Sequence, residues 1–186
     1  MELIREWAGR ERVFALRFGD VLDLEQACGD GKTPAAVGSL FQEIGMGRFS
    51  AKAVFHTIRL ALIGGGLERL RADQLMRDHF DKRPYLENSA LALEILMALM
   101  SGVEPSEDKP EGEAQPLKFS EVSQICQVFH MSPNELRAMR YADFVNLLRG
   151  FNAGGKKKVD FLTDEEFADI LARYEPEALE DGQADG

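Results

Sequence analysis

Residue patterns typical of metal sites, disulfide frameworks and membrane spans are scarce or absent in this sequence of 186 residues. Its two cysteines, Cys28 and Cys126, lie far apart and match no metal-ligand spacing, so we interpret them as reduced residues of a cytosolic protein. The three histidines each stand alone, without a second histidine or a cysteine at ligand spacing. No apolar run reaches the ~18 residues that a bilayer span needs. We therefore predict no metal, no cofactor and no membrane partner.

The motifs of phosphate binding and of acid–base catalysis are also incomplete. Residues 31–33 have the sequence Gly-Lys-Thr, as at the end of a phosphate-binding loop, but Gln26 stands where that motif needs a glycine. His79 lies between Asp78 and Asp81, and surface ion pairing explains this cluster better than a general base with no nucleophile beside it. We predict no catalytic residues and therefore a protein that is not an enzyme.

Basic side chains are fewer than acidic ones in this sequence, and this balance bears on nucleic acid binding. The chain has 22 basic and 32 acidic side chains, and its formal net charge is -10 at pH 7. Residues 1–101 are nearly neutral, whereas residues 102–116 hold five acids and one base and residues 117–186 hold 13 acids and eight bases. Because a phosphate backbone binds to a positive face, we predict that nucleic acid is not a partner.

Helical periodicity is what the sequence does have, and it is clearest in residues 50–66. The hydroxyl of Ser50 can cap the start of a helix. Val54, Ile58 and Leu62 recur at helical spacing, and three consecutive glycines then end the segment. Since a helix this apolar must be largely enclosed, we predict that it is the central helix of a small helical domain.

A β-hairpin and further helices are predicted around this central helix. Residues 3–7 and 12–18 are rich in apolar side chains and are separated by a short turn with a glycine. A lone hairpin is barely stable in water, so it should pack on the helices. Asp20 and Thr33 are the predicted caps of the first two helices. The predicted helices are residues 21–28, residues 34–44, residues 67–80 and a longer one from Glu87 or Asn88 to residue 100.

The last helix of this domain carries two sets of apolar side chains. One set recurs at spacings of four and three, and the other widens the same stripe, so we predict a helix that is buried on most sides. The first set is Leu86, Ala90, Leu93, Met97 and Met100, and the second is Leu91, Ile95, Leu96 and Leu99.

Residues 102–116 separate this domain from a second, smaller module. They contain three prolines, five acids and a single large apolar residue, which predicts a flexible acidic linker. Residues 117–175 show short helical stripes and a capping box at residues 132–135, and the acidic residues 176–186 are predicted to be disordered. The predicted fold is mainly α, of the α+β class: a hairpin packed on a helical domain (residues 1–101), the linker, and a small helical module.

The second module also offers a candidate partner surface. Residues 132–151 carry many apolar side chains for so small a core, and we interpret five of them as partner-binding residues, with packing inside the module as the alternative. They are Leu136, Met139, Tyr141, Phe144 and Phe151.

The order of these features resembles the gene-transfer-agent family of small phage tail proteins, which are described as tail assembly chaperones. The second module is similar to the helical extension of many tailed-phage chaperones. The segments that carry the resemblance are the hairpin, Leu-Glu-Gln-Ala-Cys-Gly at residues 24–29, Leu-Ile-Gly-Gly-Gly at residues 62–66, Ala-Asp at residues 72–73, Arg-Pro-Tyr at residues 83–85, Met-Ser-Gly at residues 100–102, and Met-Ser-Pro-Asn-Glu-Leu at residues 131–136.

The resemblance implies a non-enzymatic role in the assembly of a phage, a prophage or a gene transfer agent. A tail assembly chaperone binds the tape measure protein, recruits tail tube subunits and leaves before the particle is complete. We therefore expect those two partners, with self-association also open, and a location in the host cytoplasm rather than in the mature particle. Two alternatives remain: a structural tail component that is retained in the particle, and a small helical DNA-binding regulator that uses residues 132–150.

Overall fold

The computed structural model of the chain describes residues 2–103 and 119–155. Most of the predicted linker, the last part of the predicted second module and the predicted disordered tail therefore lie outside the described residues. Within the described ranges, two strands precede eight helices, which confirms a mainly α fold with an N-terminal hairpin. The elements are β1 Leu3–Trp7, β2 Arg10–Phe14, α1 Phe18–Cys28, α2 Val37–Gly45, α3 Ala51–Gly64, α4 Arg69–His79, α5 Tyr85–Met100, α6 Phe119–Val128, α7 Pro133–Ala138 and α8 Tyr141–Gly155.

The chain divides into two compact units, Met1–Leu147 and Leu148–Gly186. The first unit holds the hairpin, α1 to α7 and the first part of α8. Of the second unit, the structure describes only the end of α8. The domain boundaries that the sequence suggests at residues 101 and 116 stay predictions, because the linker between them lies almost wholly outside the described residues.

The hairpin is tighter than its sequence pattern suggested. β1 and β2 pair antiparallel with Leu3 opposite Phe14 and Trp7 opposite Arg10. A two-residue turn joins them, in which Ala8 and Gly9 have φ values of 53° and 72°. Two positive φ values give the turn that matches the natural twist of a hairpin. The second strand therefore begins and ends earlier than predicted, and its Phe14 side chain packs in the core.

The predicted cap of α1 was wrong by three positions. The helix begins at Phe18, whose side chain is fully buried, so Asp20 is the third residue of the first turn. There its carboxylate accepts a hydrogen bond from the backbone N–H of Arg17 at 2.9 Å. Asp20 therefore still satisfies a free donor at the helix start, from inside the helix rather than from the capping position.

The start of α2 was also predicted wrongly, and the reason lies in another helix. Glu25 of α1 is only 3% exposed, and its carboxylate accepts the backbone N–H of Val37 at 2.9 Å. The long-range contact fixes the start of α2 at Val37. Thr33 instead lies in a turn where its N–H and that of Lys32 donate to the Asp30 carboxylate, at 2.7 and 2.8 Å.

α3 is the central helix, as predicted. The Ser50 hydroxyl accepts the N–H of Ala53 at 3.1 Å, and the helix packs against α1, α4, α5 and β2. The glycines that end it have a second role. A Cβ atom added at Gly64 or Gly65 would overlap the carbonyl oxygen of Ala15 or Val13. Only glycine lets the end of β2 and the residue after it approach the end of α3 this closely.

Candidate interaction surfaces

Residues 132–147 of the segment that was predicted to bind a partner lie in the first compact unit, where α7 packs on α1. Leu136 is fully buried and Phe144 is 2% exposed, with its ring centroid 4.0 Å from that of Phe18. Met139 and Tyr141 are half-buried, and the side chain of Phe151 lies outside the described residues. Two of the five predicted partner-binding side chains are therefore occupied in packing within the chain. A partner-binding role for the set stays a prediction.

Backbone and ionic contacts tie the same segment to α1. The N–H of Phe18 donates to the carbonyl of Met139 at 2.9 Å. The guanidinium of Arg137 donates to the Asp23 carboxylate at 2.8 Å and to the Gly19 carbonyl at 3.3 Å. A Cβ atom at Gly19 would press against the Arg137 side chain, so the close approach depends on this glycine. These contacts hold α7 in one position on α1.

One side of α5 exposes apolar side chains to solvent. Leu86 is 76% exposed and Met97 is 57% exposed, and Ala90 is exposed between them. The helix was predicted to be buried on most sides. It contacts α3, α2 and β1, and of the apolar side chains in its predicted stripe only Leu86, Ala90 and Met97 are exposed. The buried apolar side chains of α5 are Leu91, Ala92, Ile95, Leu96 and Leu99. The α5 outer face, as we name it, consists of Leu86, Ala90, Leu93, Met97 and Met100, of which Leu93 and Met100 are half-buried.

Paired charges form one edge of the α5 outer face. Arg5 of β1 bonds Glu94 at 2.7 Å, and Arg83 bonds Glu87 at 3.0 Å. Each pair has no net charge, and each is exposed enough that its contribution to stability is small. This edge therefore exposes polar groups to water, and its two ion pairs add no net charge.

The end of α2 and the loop after it form the other edge of the α5 outer face. Gly45, at the end of α2, lies beside the Leu93 side chain, and the Phe49 ring packs on the Tyr85 ring with 5.5 Å between centroids. The loop between Gly45 and Phe49 therefore runs alongside α5. Met46 in that loop is largely exposed, and the guanidinium of Arg48 donates to its sulfur at 3.0 Å.

A buried amide fixes α5 to the rest of the unit. Asn88 is almost fully buried, accepts the indole N–H of Trp7 at 3.3 Å and donates to the carbonyl of Phe80 at 2.8 Å. The hairpin, the end of α4 and the start of α5 are joined through this one side chain. The α5 outer face thus lies on a rigid scaffold, as interaction surfaces require.

The titratable groups of the described residues form no reactive cluster. Burial raises the pKa of the Cys28 thiol to about 11, which keeps it protonated and unreactive at neutral pH. No group of three or more His, Cys, Asp or Glu side chains in these ranges is placed to hold a metal ion. Among the described helices, none has both the length and the apolarity to cross a membrane.

A shallow groove at the hairpin tip is lined by Glu6, Trp7, Ala8, Gly9, His79, Lys82 and Arg83.

Comparison with known proteins identifies the part of the chain that carries these features. A family model described as "Phage tail tube protein, GTA-gp10" matches residues 2–102, which is more than half of the sequence. No curated protein and no solved structure matches the chain significantly. The matched residues include the hairpin, α1 to α5 and the whole α5 outer face.

The match confirms a phage or gene-transfer-agent tail protein and corrects the role that was expected of it. The family description names a tail tube protein, a structural component, so the expectation of a tail assembly chaperone was wrong. The expected location, in the cytoplasm and outside the mature particle, was wrong for the same reason. Tail-related protein partners and self-association agree with the match. The chain belongs to the family of phage tail tube proteins described as GTA-gp10.

Proposed function

We propose that this chain is a structural component of the tail of a phage, a prophage or a gene transfer agent, and that it stays in the mature particle. The observation that carries the proposal is the family match over residues 2–102. Copies of the chain contact one another and neighbouring tail proteins in this role. The proposed role is not catalytic.

The surface of the family-matched part supports assembly. A monomer in water rarely keeps a contiguous apolar face unless that face contacts another protein. The α5 outer face has Leu86 and Met97 well exposed, with Met46 beside it, and its charged edge is internally paired. A chain with a net charge of -10 thus has one face where apolar contact with a partner meets little electrostatic repulsion.

Of the two partners that the resemblance implied, the family description supports the tail tube subunit, which here is a further copy of the same protein. Binding of the tape measure protein stays a prediction. It would be tested separately, by co-purification of the two proteins from the producing cells.

A deletion strain tests the proposed role in the producing bacterium. Particles are purified from the strain without the gene, and from the same strain complemented with an epitope-tagged chain. We expect normal tails only after complementation, and gold-labelled antibody against the tag along those tails in electron micrographs. Complemented particles with normal tails and no label, from cells in which the tagged chain is abundant, would contradict the proposal. Particles with an unrelated tagged cytoplasmic protein control for trapped material.

A further inference from the structure

We propose that Arg5 and Arg83 close the free edge of the hairpin, so that no further strand pairs with β1 while both arginines are in place. An edge strand exposes backbone donors and acceptors with which another chain can pair, and proteins commonly protect such edges. Here each arginine binds both a backbone carbonyl of β1 and a carboxylate of α5. This property goes beyond the proposed role in the tail and does not depend on it.

The register of the hairpin shows which groups of β1 point outward. Trp7 and Arg10 flank a two-residue turn, so they form a hydrogen-bonded pair. Hydrogen-bonded and non-hydrogen-bonded pairs alternate along an antiparallel ladder, so Ile4 and Glu6 belong to pairs of the second kind. Their N–H and carbonyl groups therefore point away from β2. These are the groups to which an added strand would bond.

The outer edge of β2, by contrast, is covered by α3. The N–H of Ala15, just after β2, donates to the carbonyl of Ala61 at 3.0 Å. The carbonyl oxygen of Val13 lies so close to Gly65 that a Cβ atom added there would overlap it. The core therefore closes the edge of β2, whereas residues 4–6 on β1 are exposed.

Arg5 bridges the first outward carbonyl of β1 to α5. Its guanidinium donates to the Ile4 carbonyl at 2.9 Å and to the Glu94 carboxylate at 2.7 Å. Arginine suits this position because its planar head carries five N–H donors in a fixed fork and can bind two acceptors at once. The guanidinium thus lies where the donor of an added strand would have to lie.

Arg83, just before α5, forms the second bridge. Its guanidinium donates to the Glu6 carbonyl at 3.4 Å and to the Glu87 carboxylate at 3.0 Å. Arg5 and Arg83 both line a groove of about 300 Å³ between β1 and α5. A strand added to β1 would lie about 4.8 Å from it and would enter this groove. It therefore pairs with β1 only after both arginines have moved away.

The exposure of the two ion pairs makes the arginines suitable for a test by substitution. The four side chains are between 34% and 53% exposed, so each pair contributes little to the free energy of unfolding. Removal of both arginines should therefore leave the fold intact while it frees the edge. It also removes two positive charges from a chain of net charge -10, and the added repulsion opposes association. Any association that is gained would thus come from the edge rather than from charge.

Sedimentation analysis of the purified full-length chain tests the inference. We expect Arg5→Met, Arg83→Met to associate at protein concentrations about 10-fold or more below those of the wild type, because two backbone acceptors become available to a second strand. The infrared amide I band of the same samples should show intermolecular β-sheet. The matched control is Arg10→Met, Arg69→Met, with the same change of charge at exposed positions. Association no stronger than in this control would overturn the inference.

A proline at position 6 tests whether the strand edge is the contact. Glu6→Pro removes an outward N–H that makes no ladder bond, so the hairpin itself should be kept. Added to Arg5→Met, Arg83→Met, it should return association to the level of the control. Glu6→Ala loses the same charge and should not. Equal association of the proline and alanine variants would overturn the inference.

Single substitutions keep the test decisive if the double variant does not fold, which tryptophan fluorescence checks. Arg5→Met and Arg83→Met each leave one bridge in place, and we expect each to associate more readily than Arg10→Met alone, with the same infrared band. Association of both single variants at the level of Arg10→Met would overturn the inference.

Discussion

The rings of Phe18 and Phe144 pack with their centroids 4.0 Å apart and their planes inclined by 31°. Phe18 begins α1, inside the family-matched part, and Phe144 lies near the start of α8, beyond it. Both side chains are buried. Residues that the family model does not cover are therefore packed into the same compact unit as those it does.

Truncation of Phe144 tests how much this contact stabilises the unit. We expect Phe144→Ala to lower the free energy of unfolding by about 3 kcal/mol, because it removes a buried ring and leaves a cavity beside Phe18. Urea unfolding of the purified chain measures the change. The control is Leu70→Ala, an exposed apolar residue whose truncation should change stability by less than about 0.5 kcal/mol. Equal effects of the two would show that α8 does not depend on the packing with α1.

The buried amide of Asn88 gives a second prediction. Asn88→Ala leaves the indole N–H of Trp7 and the carbonyl of Phe80 without their partner, so we expect a loss of about 2 kcal/mol in the free energy of unfolding. Near-ultraviolet circular dichroism of the single tryptophan should change as well, since the hairpin loses its anchor. Asn134→Ala, at an exposed position on α7, is the control. Wild-type stability in the Asn88 variant would refute this role.

His56 gives a prediction about pH. Burial, followed by the charges of Arg59 and Lys52, lowers the pKa of His56 below its ordinary value of 6.5, and its Nδ1 atom has no hydrogen-bond partner among the described residues. The unfolded state therefore binds the proton more readily, so the contribution of His56 to stability is complete above pH 6.5 and is lost as the pH falls towards the lowered pKa.

Replacing His56 should remove this part of the pH dependence. We expect the free energy of unfolding of His56→Leu to fall less steeply than that of the wild type between about pH 7 and pH 5. Urea unfolding at a series of pH values measures both slopes. Leu70→Ala, which replaces an exposed side chain with no titrating group, should keep the wild-type slope. Parallel curves for wild type and His56→Leu would contradict the assignment.

Local signals in the sequence predicted much of the fold. Ser50 caps α3 as expected, and Ser132 and Glu135 form the expected capping box at the start of α7, with the Ser132 N–H donating to Glu135 at 2.8 Å. Such contacts join residues three apart in the chain, so the sequence pattern contains both partners.

Long-range contacts account for the errors. The start of α2 depends on the carboxylate of Glu25, twelve residues away and on another helix. The apolar residues of α5 form one continuous stripe in sequence, and only the positions of α2, α3 and β1 decide which of them are buried. The hydrophobic periodicity of the sequence does not reveal where α2, α3 and β1 lie relative to α5.

The candidate partner surface in residues 132–151 stays a prediction. Residues 132–151 contain more apolar side chains than an isolated small module could bury, and this number suggested a partner surface. Leu136 and Phe144 pack within the larger unit, which the sequence pattern could not show. The exposed Leu86 and Met97 carried no signal that distinguished them from core residues. Likewise, resemblance predicted the family correctly and the role wrongly, since motifs report common descent more reliably than function.

Quantitative mass spectrometry of purified particles tests the central claim most directly. Labelled peptides of this chain and of the other tail proteins are added as standards, and the number of copies per particle is measured. We predict many copies of the chain per particle, in a fixed ratio to the other tail proteins across preparations. Its absence from tailed particles, while it is abundant in the cells that produced them, would contradict a structural role in the tail.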